Sequence, residues 1–282
     1  MTRRLALGIH GPPITLQKRF HDVKRPLLLK QFLSHPNVGD VASKLIVSKL
    51  LRRDVLVFGP DPLHAPNLLG IGSILNWADA NSVVWGSGCI APGALPMERP
   101  RAVVAARGPL TCHELERMGV PAPSAIGDPG ALIGDLYSQP RQPEANLIGL
   151  IPHYADLAHP YVEAARQQRA LIINPLAPLQ DYLDALSTAE VIITSSLHGI
   201  VFAHALGRPA AWIELSDQVI GGGFKFRDYF ASVGFVGEDV PLLSTSDTLA
   251  DAARRAVLPR RPIDLQALRE TLRMAETMLE RA

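Results

Sequence analysis

The stretch AEVIITSSLHGIVFAHALGRPAAWIE, residues 189–214, decides the fold. Val191–Thr194 is a short apolar run of the kind that forms a buried strand, Gly199–Leu206 follows as a helix, and Ala210–Glu214 is the next strand. Strand, helix and strand in close succession are the unit of a parallel sheet, because parallel neighbours need a crossover between them. The same rhythm extends in both directions. Upstream strands are expected at Leu27–Phe32, Val55–Phe58, Leu68–Ile71, Ser82–Trp85, Ala102–Ala106 and Ser124–Ile126, and a second set at Leu147–Ile151 and Ala170–Ile173. Helical patterns at Asp40–Leu51, Pro109–Met118 and Leu179–Ser187 alternate with them. The expectation is an α/β protein with doubly wound parallel sheets.

The polar, proline-bearing segment Tyr137–Asn146 separates the two sets of strands and reads as a linker. It divides the chain into domains of similar size, 1–139 and 140–282. The second ends in a long helix over Pro262–Arg281, with Leu265, Leu268, Leu272, Met274 and Met278 as its apolar face.

Hydrophobic residues make up 47% of the 282 and charged residues 20%, which fits a soluble globular enzyme. Basic and acidic side chains balance at 28 and 27, but residues 1–53 hold eleven Lys or Arg against Asp22 and Asp40 alone. That segment is either a solvated basic face or a surface drawn to anionic lipid or a phosphate-bearing acceptor. It lacks interleaved aromatic residues, so nucleic acid is not expected as a partner. Cys89 and Cys112 sit in apolar segments and read as two buried thiols of a reducing compartment. No leader is legible at the start, and the greasiest region, Val191–Trp212, carries Ser195, Ser196, His198, His204 and Arg208. A cytoplasmic protein is expected, with peripheral contact at the inner membrane face as an option.

Candidate chemistry sits in loops that follow strands, where parallel sheets bind their ligands. Arg107 ends RAVVAAR ahead of Gly108 and Pro109, at a helix start where guanidinium and free N–H groups can hold an anion together. The alternative is an arginine paired with a nearby carboxylate. His198 follows the buried strand and a Ser-Ser turn, where an imidazole can exchange protons near neutral pH; a packed histidine is the other reading, and His204 suits it better. Lys225 in GGGFKFRDYF follows three glycines, so a mobile loop could bring its ammonium to a phosphate, or Lys225 and Arg227 could decorate an exposed helix. Other signals are weaker. GIGSIL at 70–75 is not GxGxxG, SSLHG lacks the spacing of a serine-hydrolase elbow, and His10, His21, His35, His64 and His113 are too scattered for a metal site.

Taken in order, NVGD (37–40), GIGSIL, VVWGSG (83–88), RAVVAARGPLT (101–111), GDPG (127–130), IPHY (151–154), the SSLHG segment and FKFRDYF (224–230) resemble the polysaccharide pyruvyl transferase family. The likeness is to the enzymes that place ketal pyruvate on xanthan- or succinoglycan-type repeat units. The resemblance implies two Rossmann-like domains arranged as in GT-B glycosyltransferases, with the active site in the interdomain cleft. It implies phosphoenolpyruvate as co-substrate, no cofactor and no metal requirement. By the same resemblance His198 is the general acid, Arg107 binds the donor and Lys225 is the family's KF lysine. Ser195, Ser196 and Leu197 join the donor site. Many members carry arginine where this chain has Ser196, and Arg227 is the candidate replacement. The N-terminal domain would hold the acceptor, a lipid-linked oligosaccharide, through Asn37, Gly39, Asp40 and Ser73, with His153 facing it. Asp40 could orient or deprotonate a sugar hydroxyl, or simply cap its helix. The competing readings are a nucleotide-sugar glycosyltransferase on a similar scaffold and a non-catalytic sugar-binding component of polysaccharide assembly.

Overall fold

A computed structural model describes residues 25–33, 37–61, 65–138 and 142–281. Arg3, Arg4, Lys18, Arg19 and Lys24 of the basic segment, together with His10, His21, His35, His64 and positions 139–141, lie outside the described residues.

Eleven strands are present among the described residues. β1 (Leu27–Lys30), β2 (Val55–Phe58), β3 (Asn67–Leu69), β4 (Ser82–Trp85), β5 (Ala102–Ala106) and β6 (Ala125–Ile126) pair in parallel in the order β2-β1-β3-β4-β5-β6. β7 (Ile148–Ile151), β8 (Leu171–Ile172), β9 (Val191–Thr194), β10 (Ala210–Ile213) and β11 (Leu242–Leu243) form a second parallel sheet in the order β11-β10-β9-β7-β8. The helices are α1 (Val38–Leu51), α2 (Pro109–Arg117), α3 (Ile133–Leu136), α4 (Pro160–Gln167), α5 (Leu179–Thr188), α6 (Leu197–Ala205), α7 (Phe224–Ser232), α8 (Leu249–Arg255) and α9 (Leu265–Glu280). Two parallel α/β sheets of Rossmann-like type are thus the architecture. β11, α3, α4 and α8 are additions to the sequence reading, since a two-residue strand and short helices carry little periodic signal.

The two sheets share their apolar interior. One cluster runs from Leu29 and Trp85 through Ile46 of α1 to Leu186, Ile192 and Phe202 of the second half. The last helix returns to the first sheet, where the Trp85 indole N–H donates to the Leu268 carbonyl at 2.9 Å. Its buried stripe is Leu268, Thr271, Leu272 and Ala275, the i, i+3, i+4, i+7 spacing of one helix face. Met274, assigned to that face from the sequence, points outward instead.

Two cations of the basic segment are bound internally. Lys30 is fully buried and donates to Asp79 Oδ2 and the Trp77 carbonyl, both at 2.7 Å. Arg53 pairs with Glu280 at 2.8 Å and Glu276 at 3.3 Å, tying the chain's beginning to α9. Among the described residues no helix is long and apolar enough to cross a membrane. Cys89 and Cys112 are buried free thiols, and burial pushes them up to about 12 and about 11, so both stay protonated.

Candidate active site

A cavity of about 220 Å³ is lined by residues that follow strands of both sheets. Three helices begin at its wall: α1 brings Asn37 and Asp40, α6 brings Leu197 and His198, and α7 brings Lys225. Helix starts present N–H groups and the positive end of the macrodipole, so three of them facing one space favour an anion. The helices differ in how their ends are satisfied. In α1 the Gly39 N–H donates to Asn37 Oδ1 and the Asn37 N–H donates to Asp40 Oδ2, a reciprocal capping box. Neither α6 nor α7 has a side-chain cap among the described residues.

His198 occupies the first turn of α6, which starts at Leu197 rather than Gly199 because Ser196 is the extended N-cap residue. Its ring lies flush against α1: a Cβ on residue 39 would stand 2.1 Å from Nδ1, so glycine is the residue that fits there. Nε2 is sealed from solvent and has no hydrogen-bond partner among the described residues. Burial drives the imidazole down to about 3, with the positive charges of Lys225 and Arg107 adding to it. The ring is therefore neutral near pH 7.

Lys225 lies inside α7, in its first turn, and is buried; the mobile-loop expectation gives way to a fixed ammonium. The aromatic stripe of Phe226, Tyr229 and Phe230 is what draws this segment into a helix against the core. The Nζ atom stands 5.5 Å from the Phe226 ring centroid and forms no ion pair among the described residues. Burial brings its pKa down to about 8, Arg107 pushes the same way, and Asp156 opposes them.

Arg107 does not line the cavity and is fully buried. Its Nε donates to Asp228 Oδ2 at 2.9 Å, Nη1 to Ser73 Oγ at 2.6 Å and Nη2 to the Cys89 carbonyl at 2.7 Å. Asp228 also accepts from the Thr111 N–H at 3.0 Å and the Thr111 hydroxyl at 2.6 Å. The carboxylate-paired arrangement is the one present. It locks the end of β5 and the start of α2 onto α7, and it reaches the cavity through Ser73, which is on the wall.

Of the other expected residues, Ser196 and His153 face the cavity. Burial and then Lys225 lower His153 to about 4, so it too is neutral. Ser195 lies behind, its hydroxyl donating to Asp156 Oδ2 at 2.7 Å and accepting from the His153 N–H at 2.7 Å. Arg227 is exposed and off this wall: it covers Trp212 at 5.1 Å and donates to the Gly222 carbonyl. The structure therefore does not bring it to the place left by Ser196. Two residues absent from the sequence reading organise the site, Asp228 and Asp156. Asp228 lies three positions after Lys225, but nothing in the sequence ties it to Arg107. Asp156 is buried and joins the turns at 153–156, Ser195 and Ser216.

An α/β protein with an anion-ready cavity at the carboxyl ends of parallel strands is the class that fold and site define. Residues 97–230 match the family model described as polysaccharide pyruvyl transferase. The chain is 26% identical over 218 residues to uncharacterized protein L143 of Acanthamoeba polyphaga mimivirus, covering 75% of this chain and 76% of that one. It is 26% identical over 197 residues to the succinoglycan biosynthesis protein ExoV of Rhizobium meliloti (strain 1021), covering 66% of this chain and 60% of that protein. Over residues 97–230 the chain is similar to polysaccharide pyruvyl transferases. The matched segment contains Arg107, His153, His198 and Lys225, whereas Asn37, Asp40 and Ser73 precede it.

Proposed function

We propose that the protein transfers the carboxyethylidene (pyruvyl) group of phosphoenolpyruvate to two hydroxyls of one sugar in an exopolysaccharide repeat unit, forming a cyclic ketal and releasing phosphate. The observation that carries this reading is that His198 and Lys225, both without polar partners among the described residues, line one cavity from the first turns of two uncapped helices. The match of residues 97–230 to the family model supports pyruvyl transfer, and the succinoglycan role in the name of one relative supports a polysaccharide acceptor.

In this reading Lys225 and the leading N–H groups of α6 and α7 hold the donor's phosphate and carboxylate. Donor charge offsets the burial and the nearby positive charges that keep His198 neutral, so a proton enters with the donor and makes the imidazolium. That proton passes to the methylene carbon and leaves C2 electrophilic. One sugar hydroxyl adds to C2 and loses its proton. The bond from C2 to the phosphate oxygen breaks, and a second hydroxyl adds to close the ring. One hydroxyl proton restores the imidazolium, and the other departs on phosphate as hydrogen phosphate. Arg107 acts from behind, fixing Ser73 and adding positive potential. Asn37, Asp40, Ser73 and His153 face the acceptor, a lipid-linked oligosaccharide. Asp40, raised by burial to about 7, is poised to orient or deprotonate a hydroxyl.

The test is to incubate the protein with phosphoenolpyruvate and an oligosaccharide acceptor. Phosphate should appear with an acceptor mass gain of one pyruvate less one water. Release of nucleoside diphosphate from a sugar nucleotide, with no use of phosphoenolpyruvate, would assign a glycosyltransferase instead.

A further inference from the structure

A second cavity, of about 530 Å³, adjoins the first beyond the carboxyl ends of β9, β10 and β11. The two share a partition. Along residues 217–223, Asp217, Val219 and Gly221 face the larger cavity, while Gln218 and Ile220 face the smaller, with Lys225 next in the chain. The partition ends in three glycines with positive φ, 105°, 54° and 75° at Gly221, Gly222 and Gly223. A Cβ at Gly221 would stand 2.0 Å from the Ile90 carbonyl oxygen, so bare backbone is what lets this wall close against the first half of the molecule.

The two cavities differ in charge. The smaller holds the Lys225 ammonium, two neutral histidines and Asp40, whose carboxyl burial raises to about 7. The ionisable groups lining the larger are Glu214 and Asp217, both exposed, set among the hydroxyls of Ser195, Ser216, Ser244 and Thr245. Trp212 belongs to its wall but is buried, with Phe226 stacked on it at 4.5 Å and 7° and the exposed Arg227 guanidinium 5.1 Å from the ring. Two carboxylates repel a phosphate or carboxylate ligand but accept hydrogen bonds from neutral hydroxyls. Hydroxyl side chains complete a lining suited to a polyhydroxylated ring.

We propose that this second cavity is a binding subsite for a neutral oligosaccharide, receiving the sugar units next to the one that is modified. Naming that ligand as the acceptor rests on the function proposed above; saccharide binding itself does not. The larger space takes the neutral chain and the smaller, positive one takes the anionic donor.

The experiment is saturation-transfer NMR of the full chain with neutral disaccharides (lactose, cellobiose and maltose) and, separately, with phosphoenolpyruvate. Thr245→Trp fills the larger cavity from an exposed position, and the double variant Glu214→Gln/Asp217→Asn removes its charge while keeping its shape. Disaccharide affinity should fall about tenfold or more in each, as loss of hydrogen bonds to charged groups implies. Phosphoenolpyruvate binding and melting temperature should not change. Three outcomes overturn the proposal: no disaccharide binds the wild-type protein at millimolar concentration, the variants leave disaccharide affinity intact, or a nucleoside diphosphate occupies the space and Thr245→Trp expels it. If disaccharides bind as expected while phosphoenolpyruvate does not bind at all, the donor assignment fails and the saccharide subsite stands.

Discussion

On the side of the cavity that follows β1 and β3, Asn37 accepts from Gly39, Asp40 accepts from Asn37, and Ser73 accepts from Arg107. On the side that follows β9 and opens α7, His198 Nε2 has no partner among the described residues and the Lys225 ammonium rests over an aromatic ring. Both sides are polar and both begin at helix starts, yet one has satisfied its groups internally and the other has not. Leaving a buried polar group unpaired costs roughly 1–3 kcal/mol, and at a cavity wall a ligand can complete it. Under the proposed function, the difference separates a wall that positions from a wall that reacts. The motif-bearing residues divide accordingly, with Arg107 on the positioning side although its sequence context matches a ligand-binding arginine.

Substitutions on the two walls should therefore fail in different ways. The largest expected effect is on the unpaired side: His198→Ala lowers turnover by about 10²–10⁴-fold, the usual worth of a positioned acid, while phosphoenolpyruvate still binds. Steady-state kinetics with a separate donor-binding measurement checks this. Normal turnover with weakened donor affinity would make His198 a binding residue. Next comes Arg107→Ala, which strands Asp228 as a buried charge. A loss of about 3–5 kcal/mol in stability follows from breaking a buried pair, read as a drop in melting temperature. Should Arg107→Ala melt like the wild type and lose donor affinity alone, the contrast between the walls collapses and Arg107 becomes a donor ligand.

How much of this was legible beforehand follows from the range of each interaction. β9, α6 and β10 could be read from 189–214 because strand and helix periods are local, and the first sheet's strands emerged for the same reason. Lys225 was harder. The period was present in Phe226, Tyr229 and Phe230, but three preceding glycines outweighed it and suggested a loop. The Arg107–Asp228 pair spans 121 positions, and no single-chain pattern encodes which acid meets which base across that distance. Asp156 escaped for a related reason: its partners, Ser195 and Ser216, lie on loops after β9 and β10 that only the sheet order brings together.

Lys225 sharpens the comparison through pH. In the free protein its ammonium titrates near 8, so kcat/KM for the donor should fall as pH rises past about 8, while a Lys225→Arg variant, cationic throughout, should lose that fall. Lys225→Met should raise the donor KM by about 10–100-fold, the equivalent of one charged hydrogen bond. A pH profile that is the same in wild type and Lys225→Arg would remove the ammonium from the donor site.

The smallest effect belongs to the satisfied wall and concerns stability. Burial raises Asp40 from 3.8 to about 7 in the folded chain. Below pH about 4 the carboxyl is protonated folded or unfolded, and its full contribution is present. Between about 4 and 7 the unfolded chain gives up that proton while the folded chain keeps it, so stability declines as pH rises and the loss is complete above 7. Asp40→Asn keeps an oxygen for the Asn37 N–H and removes the titration. The variant should melt several degrees above wild type at pH 8 and approach it at pH 4, given roughly 2–4 °C per kcal/mol for a chain of this size. Thermal melts of both proteins across that range decide it. A constant offset would mean that Asp40 is ionised throughout, and its carboxylate would then line, with Lys225, a space assigned to an anionic donor.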